Sequence, residues 1–257
     1  MADALERVGI IILAAGKGKR MYSELPKVLL PLADKPMISY IVKAIKGSMI
    51  KTRPVIVVGK DNGEEIKKAL NGYEYALQDK QLGTGHAVIC ARPAVYGKFD
   101  TIMVLYGDHP LVSSEMIDKI VRTHFESGKV LTMATVKVTD FQDWQQAFYD
   151  YGRIVRDSQG KVQKIVETRD ASEEEKNILE VNPSYFCFQT DWLWNNLAKL
   201  GNNNAQGEYY LTDLVGIAQA DGLDIATVEI NPKEALGANT ADQLAVLQNI
   251  IEKDKSS

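Results

Sequence analysis

Cysteine, histidine and surplus positive charge are all scarce in this chain, and each shortage removes a class of function. The 257 residues include 2 cysteines, and no Cys/His spacing of a metal pair accompanies them. Cys90 beside Ile89, and Cys187 between Phe186 and Phe188, read as reduced core residues, not as a disulfide. Lys and Arg number 30 against 34 Asp and Glu, a net charge of -4. A general nucleic-acid binder needs a basic surplus to neutralise phosphates, so any anion site here must be a local cluster of cations. The longest strongly apolar run, Ile10 to Ala15, falls far short of the roughly 20 residues of a membrane helix. The start Met-Ala-Asp-Ala-Leu-Glu-Arg has neither the basic nor the apolar segment of a secretory signal. No membrane association and a cytoplasmic location are therefore expected.

What is present is ordinary globular material, 45% apolar and 25% charged, enough for one large α/β domain or two small ones. Short apolar runs recur at Val8 to Ala14, Val55 to Val58, Tyr73 to Leu77 and Thr101 to Tyr106. Between them lie segments of helical spacing, such as Ile38, Ile41, Val42 and Ile45 after Pro36, and Ile66, Ala69 and Leu70 after the Asp61-Asn62-Gly63 turn. This βαβ rhythm builds a parallel sheet covered by helices. The second half differs: Val130 to Val138 alternates, and Asp157-Ser158-Gln159-Gly160 joins Arg153 to Arg156 with Val162 to Val166 as a hairpin would. Further along, Glu180 to Phe188 reads as one strand and Ile225 to Ile230 as another. Asp191 to Leu200 and Tyr209 to Ala220 read as helices, and a last helix follows a Thr240 cap. The run Glu173-Glu174-Glu175-Lys176 reads as a solvated loop or helix face.

The richest segment is Ile10 to Lys27, a buried strand entering a glycine turn followed by Lys17, Lys19, Arg20 and Lys27. It suits a polyphosphate, with Gly16 and Gly18 leaving backbone amides free to face a ligand. Two standard phosphate loops are excluded. Gly16 does not begin G-x-x-x-x-G-K-[ST], and Met21 stands where G-x-G-x-x-G needs its third glycine. A kinase or a dehydrogenase is thereby disfavoured.

Leu13-Ala14-Ala15-Gly16-Lys17-Gly18-Lys19-Arg20-Met21, with Pro26-Lys27 after it, resembles the signature L-A-x-G-x-G-[ST]-R-[ML]…P-K of the sugar-nucleotide pyrophosphorylases. Further matching segments follow in order: Gln78, Gln81 to Ala87, Tyr106-Gly107-Asp108, Tyr151 to Ile154, Ile165-Val166-Glu167 and Asn202 to Asp213. Within that family the set is most similar to the uridylyltransferase half of the bacterial N-acetylglucosamine-1-phosphate uridylyltransferases, from Val8 to about Gln248. The implied fold is α/β, Rossmann-like, with a mostly parallel central sheet flanked by helices and an antiparallel sugar-binding portion, the nucleotide-diphospho-sugar transferase type. One domain over 1–257 is expected: a nucleotide-binding half to about 110, a sugar-phosphate half from about 111 to 239, and a C-terminal helix and tail over 240–257.

The resemblance implies attack of a sugar 1-phosphate on the α-phosphorus of UTP with release of pyrophosphate. A phosphate monoester has its second pKa near ~6, so the nucleophile is already anionic and 3 histidines are no handicap. The difficulty is bringing two polyanions together, which calls for cations and metal. Arg20 and Lys27 are the expected catalytic cations, Arg20 towards the leaving phosphates and Lys27 beside the α-phosphate or the sugar phosphate. Lys19 stands where the family has Thr or Ser, and faces either the triphosphate or water. The implied nucleotide-binding set is Leu13, Ala14, Ala15, Gly16, Gly18, Gln78, Gly83, Thr84, Tyr106 and Gly107; a Gln amide can match both the N3–H and a carbonyl of uracil. His86 is expected to pack at a helix start.

Asp108, at the carboxyl end of an apolar strand, and Asn239 are the implied ligands of the cofactor Mg²⁺. The implied sugar-phosphate set is Gly152, Glu167, Asn182, Tyr210 and Thr212. The sharpest departure is Asn182-Pro183-Ser184, where the family reads Asn-Thr-Gly. It keeps open another sugar 1-phosphate or dTTP as substrate. A silent sugar-nucleotide sensor on the same fold should have lost Arg20, Lys27 or Asp108, and all three are present. The β-helix that carries an acetyltransferase and trimerises the bifunctional enzymes does not follow Ser257, so a monomer or small homo-oligomer is expected.

Overall fold

The computed structural model describes residues 2–21 and 23–256, the side chains at 2, 3, 19 and 254–256 excepted, so the Lys19 side chain lies outside the described residues. The strands are β1 (Val8–Leu13), β2 (Pro31–Leu32), β3 (Lys35–Pro36), β4 (Val55–Gly59), β5 (Glu74–Gln78), β6 (Thr101–Tyr106), β7 (Leu131–Lys137), β8 (Gly152–Arg156), β9 (Val162–Val166), β10 (Glu180–Asn182), β11 (Phe186–Gln189) and β12 (Ala226–Glu229). The helices are α1 (Ala2–Leu5), α2 (Met37–Gly47), α3 (Gly63–Ala69), α4 (Thr84–Val95), α5 (Ser114–Ser127), α6 (Glu173–Lys176), α7 (Thr190–Leu197), α8 (Asp213–Ala220) and α9 (Ala241–Ser256). Among these residues no helix is long and apolar enough to cross a membrane.

The main sheet runs β5-β4-β1-β6-β11-β7-β10-β8-β9, with β12 on the other edge of β7. The first four strands are parallel, β11 is antiparallel to both neighbours, and β10, β8 and β9 form the antiparallel end. The central strand β1 is apolar at every position because both its faces are covered. Ile10 and Ile12 point to the layer of α2 and α5, where Ile38, Ile41, Ile117 and Ile120 are buried. Ile11 and Leu13 point to the opposite layer with Val88, Leu193 and Leu214.

Four local expectations are revised. Glu180 to Phe188 is two strands, since the chain breaks at Pro183 and Ser184 before rejoining β7. Helix α8 starts at Asp213 instead of Tyr209, because Tyr209 is held by backbone hydrogen bonds to Leu82 and Gly85. Strand β7 does not alternate, being buried on both faces from Leu131 to Val136. Ala69 is exposed, leaving Ile66 to anchor α3. Cys187 is buried, Cys90 is only partly so, and both thiols are free. The acidic run forms α6, whose Ser172 and Glu175 make a reciprocal capping box.

Helix α5 carries a pH-sensitive contact. His124 is buried, its Nδ1 lies 2.9 Å from Thr132 Oγ1, and burial pushes its pKa down to about 4. The unfolded chain therefore binds a proton that the folded one refuses between about pH 4 and 6.5, and stability falls as pH drops through that window. Full traverse should cost about 3 kcal/mol. Urea unfolding at pH 7 and pH 4 should show His124→Gln losing less stability over this range than the native chain.

Candidate functional site

The chain leaves the carboxyl ends of β1 and β6, adjacent strands from which it continues in the main sheet to β4 in one direction and to β7 in the other, and such a divergence is where an open α/β sheet offers a crevice. A cavity of about 360 Å³ opens there, lined by Leu13 to Gly16, Lys27, Gln78, Gly83, Thr84, Tyr106, Asp108 and Asn239 among others. One pocket therefore gathers residues that the sequence spreads over more than two hundred positions.

Its floor is backbone. The carbonyl of Ala14 accepts from Asn62 Nδ2 at 3.0 Å, Gly59 N–H donates to Asn62 Oδ1 at 2.8 Å, and Gln81 donates to the carbonyl of Ala15. Asn62, read from sequence only as a turn residue, is thus a buried brace for the loop after β1. Gly18 has φ +58, and a Cβ there would lie 2.7 Å from Lys27 Cβ, so glycine lets the two loops cross.

The second wall is the start of α4. Gly83 has φ +103, and a Cβ on it would sit 2.6 Å from the Tyr209 carbonyl oxygen and 2.8 Å from its nitrogen. The same stretch is stitched by Tyr209 N to Leu82 O at 2.8 Å and Leu211 N to Thr84 Oγ1 at 3.0 Å. Gly83→Ala should therefore lower unfolding stability by about 2 kcal/mol. Gly16→Ala, with nothing within 4 Å of the new carbon, should change stability by less than about 0.5 kcal/mol. Denaturant melts of the two variants check this contrast.

Gln78 is buried, and its amide nitrogen faces both the Gly83 carbonyl at 3.0 Å and His86 Nδ1 at 3.2 Å. His86 therefore orients Gln78 from the helix start, and among the described residues Gln78 Oε1 meets no donor.

Beyond β6 sits the charged centre. Lys27 Nζ donates to Asp108 Oδ2 and, at 2.8 Å, to Asn239 Oδ1, with the Lys27 and Asp108 side chains each 11% exposed. Burial pushes the Asp108 carboxyl up, but the Lys27 charge and hydrogen bond, joined by His109 when that ring is protonated, outweigh it and hold it below the usual range. Asn239 is positioned because the Asp108 carbonyl accepts from Ala238 N at 3.1 Å and Asn239 N donates to Gln243 at 2.7 Å.

His109, absent from the sequence expectations, supports this centre. Tyr185 gives its single hydroxyl hydrogen to the Glu234 carbonyl at 3.0 Å, so at 2.7 Å its oxygen accepts from His109 Nδ1–H. The other ring nitrogen then carries the lone pair and faces Asp108 at 3.8 Å. Burial lowers the pKa of His109, Asp108 raises it and Lys27 lowers it, leaving it below the ordinary value.

On the far side, Gly152 pairs in register with Asn182, and Thr212 Oγ1 donates to Glu167 Oε1 at 2.9 Å. Burial raises the Glu167 pKa, aided by Asp213, Asp170 and Glu208, while the Thr212 bond lowers it. Tyr106 stands between the two halves and feels both Glu167 and Asp108. Tyr210 is buried beside them, with Gln206 donating to its hydroxyl at 2.9 Å and Asp170 3.4 Å away. Arg153 is fully buried and donates to the carbonyls of Tyr149, Tyr151 and Lys176, which clamps the segment that leads into β8 at Gly152.

Eight expected residues are not in the cavity wall: Gly152, Glu167, Asn182, Tyr210 and Thr212 form the separate group beyond Tyr106, and Gly18, Arg20 and Gly107 lie elsewhere. Gly107 lies beneath it, against Ile38, Val28 and Ala14, and Gly18 supports Lys27 from behind. Arg20 is exposed, 3.6 Å from Asp150, just as Lys17 pairs with Asp61 at 2.6 Å. Glu208, Ala87 and Gln81 line the pocket without having been anticipated. Their neighbours in the Gln81 to Ala87 and Asn202 to Asp213 segments were the available signal.

The family model of the MobA-like NTP transferase domain matches residues 10–185, which include the whole loop after β1 and the Asp108 turn. The chain belongs to the NTP transferase family. It is 39% identical over 243 residues to the bifunctional protein GlmU of Clostridium novyi, covering 94% of this chain and 51% of that protein. To GlmU of Alcanivorax borkumensis it is 44% identical over 249 residues, covering 96% and 52%. The chain thus spans about half the length of the curated relatives it matches. A crystal structure of UDP-glucose pyrophosphorylase with UDP-glucose superposes with a TM-score of 0.73 at 18% identity, covering 96% of this chain and 98% of that one. That likeness is one of fold, and it agrees with the expected mostly parallel, helix-flanked sheet. As a family member the chain is a nucleotidyltransferase.

Proposed function

We propose that this NTP transferase makes UDP-N-acetylglucosamine and pyrophosphate from UTP and N-acetylglucosamine 1-phosphate. The observation that carries the reading is the pocket in which Lys27, Asp108 and Asn239 converge beside a backbone-lined cavity, together with the group of Glu167, Thr212, Asn182 and Gly152 beyond Tyr106. The roughly 40% identity to GlmU proteins supports the choice of sugar and base.

In this reading the backbone of Leu13 to Gly16 and the free Oε1 of Gln78 receive the base, with Gly83, Thr84 and Tyr106 closing around the nucleoside. The sugar phosphate enters from the side of Asn182 and Glu167, whose amide and carboxylate accept sugar hydroxyls. Its phosphate is anionic at neutral pH, with a second pKa near ~6, so no side chain needs to take a proton. Lys27 neutralises charge where the two phosphates meet, and Arg20 leaves Asp150 at the rim to draw on the leaving pyrophosphate.

The donor set suits Mg²⁺: a carboxylate and an amide oxygen that both already meet one cationic group, Lys27, within a single pocket. Asp108 and Asn239 would hold the ion, which supplies positive charge to the phosphates. With N-acetylglucosamine 1-phosphate labelled with ¹⁸O on its phosphate, the label should appear in the nucleotide sugar and none in pyrophosphate. Label in the pyrophosphate would refute attack on the α-phosphorus.

A further inference from the structure

Strand β10 ends at Asn182 and β11 begins at Phe186, and the residue at the break, Ser184, has φ +65. This is backbone that glycine adopts freely and serine does not. The conformation is held by Asn182, which engages Ser184 twice. Ser184 N–H donates to Asn182 Oδ1 at 3.0 Å, and Asn182 Nδ2 donates to Ser184 Oγ at 3.1 Å. Pro183 between them offers no N–H. On the following residue, the Tyr185 carbonyl accepts from Ala134 N at 2.9 Å, which fixes the break against β7.

Both ends of the Asn182 amide are thereby spoken for by one neighbour, leaving one N–H and one lone pair for a ligand. Burial raises the Tyr106 pKa while side-chain hydrogen bonding from Ser184 and Thr84 lowers it, which brings Ser184 within reach of the Tyr106 hydroxyl. A serine side chain therefore stands between Tyr106 and Asn182, the residue that pairs in register with Gly152. A bulky acylamino substituent needs both room and amide partners there, and Ser184 subtracts from both. A small hydroxyl substituent fits beside it and gains a partner.

We propose that Ser184 is a specificity-determining residue: resting on the sugar-phosphate reading above, its hydroxyl fixes the Asn182 amide and shifts sugar choice from acylamino towards hydroxyl substituents. The native chain then discriminates less between N-acetylglucosamine 1-phosphate and glucose 1-phosphate than a chain without that hydroxyl.

The test is the ratio of kcat/KM for these two substrates with UTP, measured for the native protein, Ser184→Gly and Ser184→Ala, alongside melting temperatures. Both variants should raise the ratio in favour of the acylamino sugar by about tenfold. Ser184→Gly should melt no lower than the native protein, because glycine accepts the positive φ. Ser184→Ala keeps the strained backbone and removes only the hydroxyl. A ratio within twofold of native in both variants, with turnover intact, overturns the proposal. A shift in Ser184→Gly alone also overturns it, because backbone and not hydroxyl would then set selectivity. A native chain that turns over no sugar 1-phosphate refutes the reading of the site as well.

Discussion

Asp108→Asn should lower kcat/KM by about 10³-fold while leaving the fold intact. The amide keeps the volume and one oxygen but loses the negative charge that pairs with Lys27 and that a divalent cation would seek. Asp108 stands at the meeting point of every element of the centre: its backbone carbonyl holds Ala238, its carboxylate meets Lys27, and His109 flanks it. Its carboxyl is held ionised against its own burial by Lys27, so the neutral replacement leaves the buried Lys27 ammonium without its counter-charge. The melting temperature should fall by a few degrees while turnover collapses. Steady-state pyrophosphate release and a thermal melt on the same preparation check both halves. Activity within tenfold of native would remove Asp108 from the chemistry.

Lys27→Met should cost about 10²- to 10³-fold in turnover, and it carries a second, opposite effect. The Lys27 ammonium occupies the oxygens of Asp108 and Asn239, so it competes for them with any added cation. Removing it should tighten Mn²⁺ binding in the absence of nucleotide, by about tenfold on the strength of one close charge in a partly buried site. Nucleotide phosphates would draw Lys27 away in the native protein, making cation binding and nucleotide binding mutually supportive. Titration of Mn²⁺ followed by electron paramagnetic resonance reads this directly. Unchanged Mn²⁺ affinity in Lys27→Met would show that Lys27 does not guard those oxygens.

The parts legible in the sequence were those carried by local pattern. The run Val8 to Leu13 could only be a doubly buried strand, and the glycines and cations after it marked the loop that does face the cavity. Asp108 was legible because it follows an apolar strand whose carboxyl end must open outward. Strands β10 and β11 were read as one because both segments pair with the same strand, β7, and composition alone does not reveal the break at Ser184. Asn62, Gln81 and His109 were missed for a different reason: each acts through a partner distant in sequence, the carbonyls of Ala14 and Ala15 or the hydroxyl of Tyr185. No local spacing encodes such a contact. Arg20 shows the converse, since a motif located its backbone near the site while the side chain turns to Asp150 at the rim.

The central claim is that this pocket joins a nucleotide to a sugar 1-phosphate. It is tested most directly by a crossed panel of UTP, dTTP, CTP, ATP and GTP against N-acetylglucosamine, glucose, galactosamine and mannose 1-phosphates with Mg²⁺, reading pyrophosphate. Release should require both substrates and be greatest for UTP with N-acetylglucosamine 1-phosphate. No release from any pair would contradict the claim.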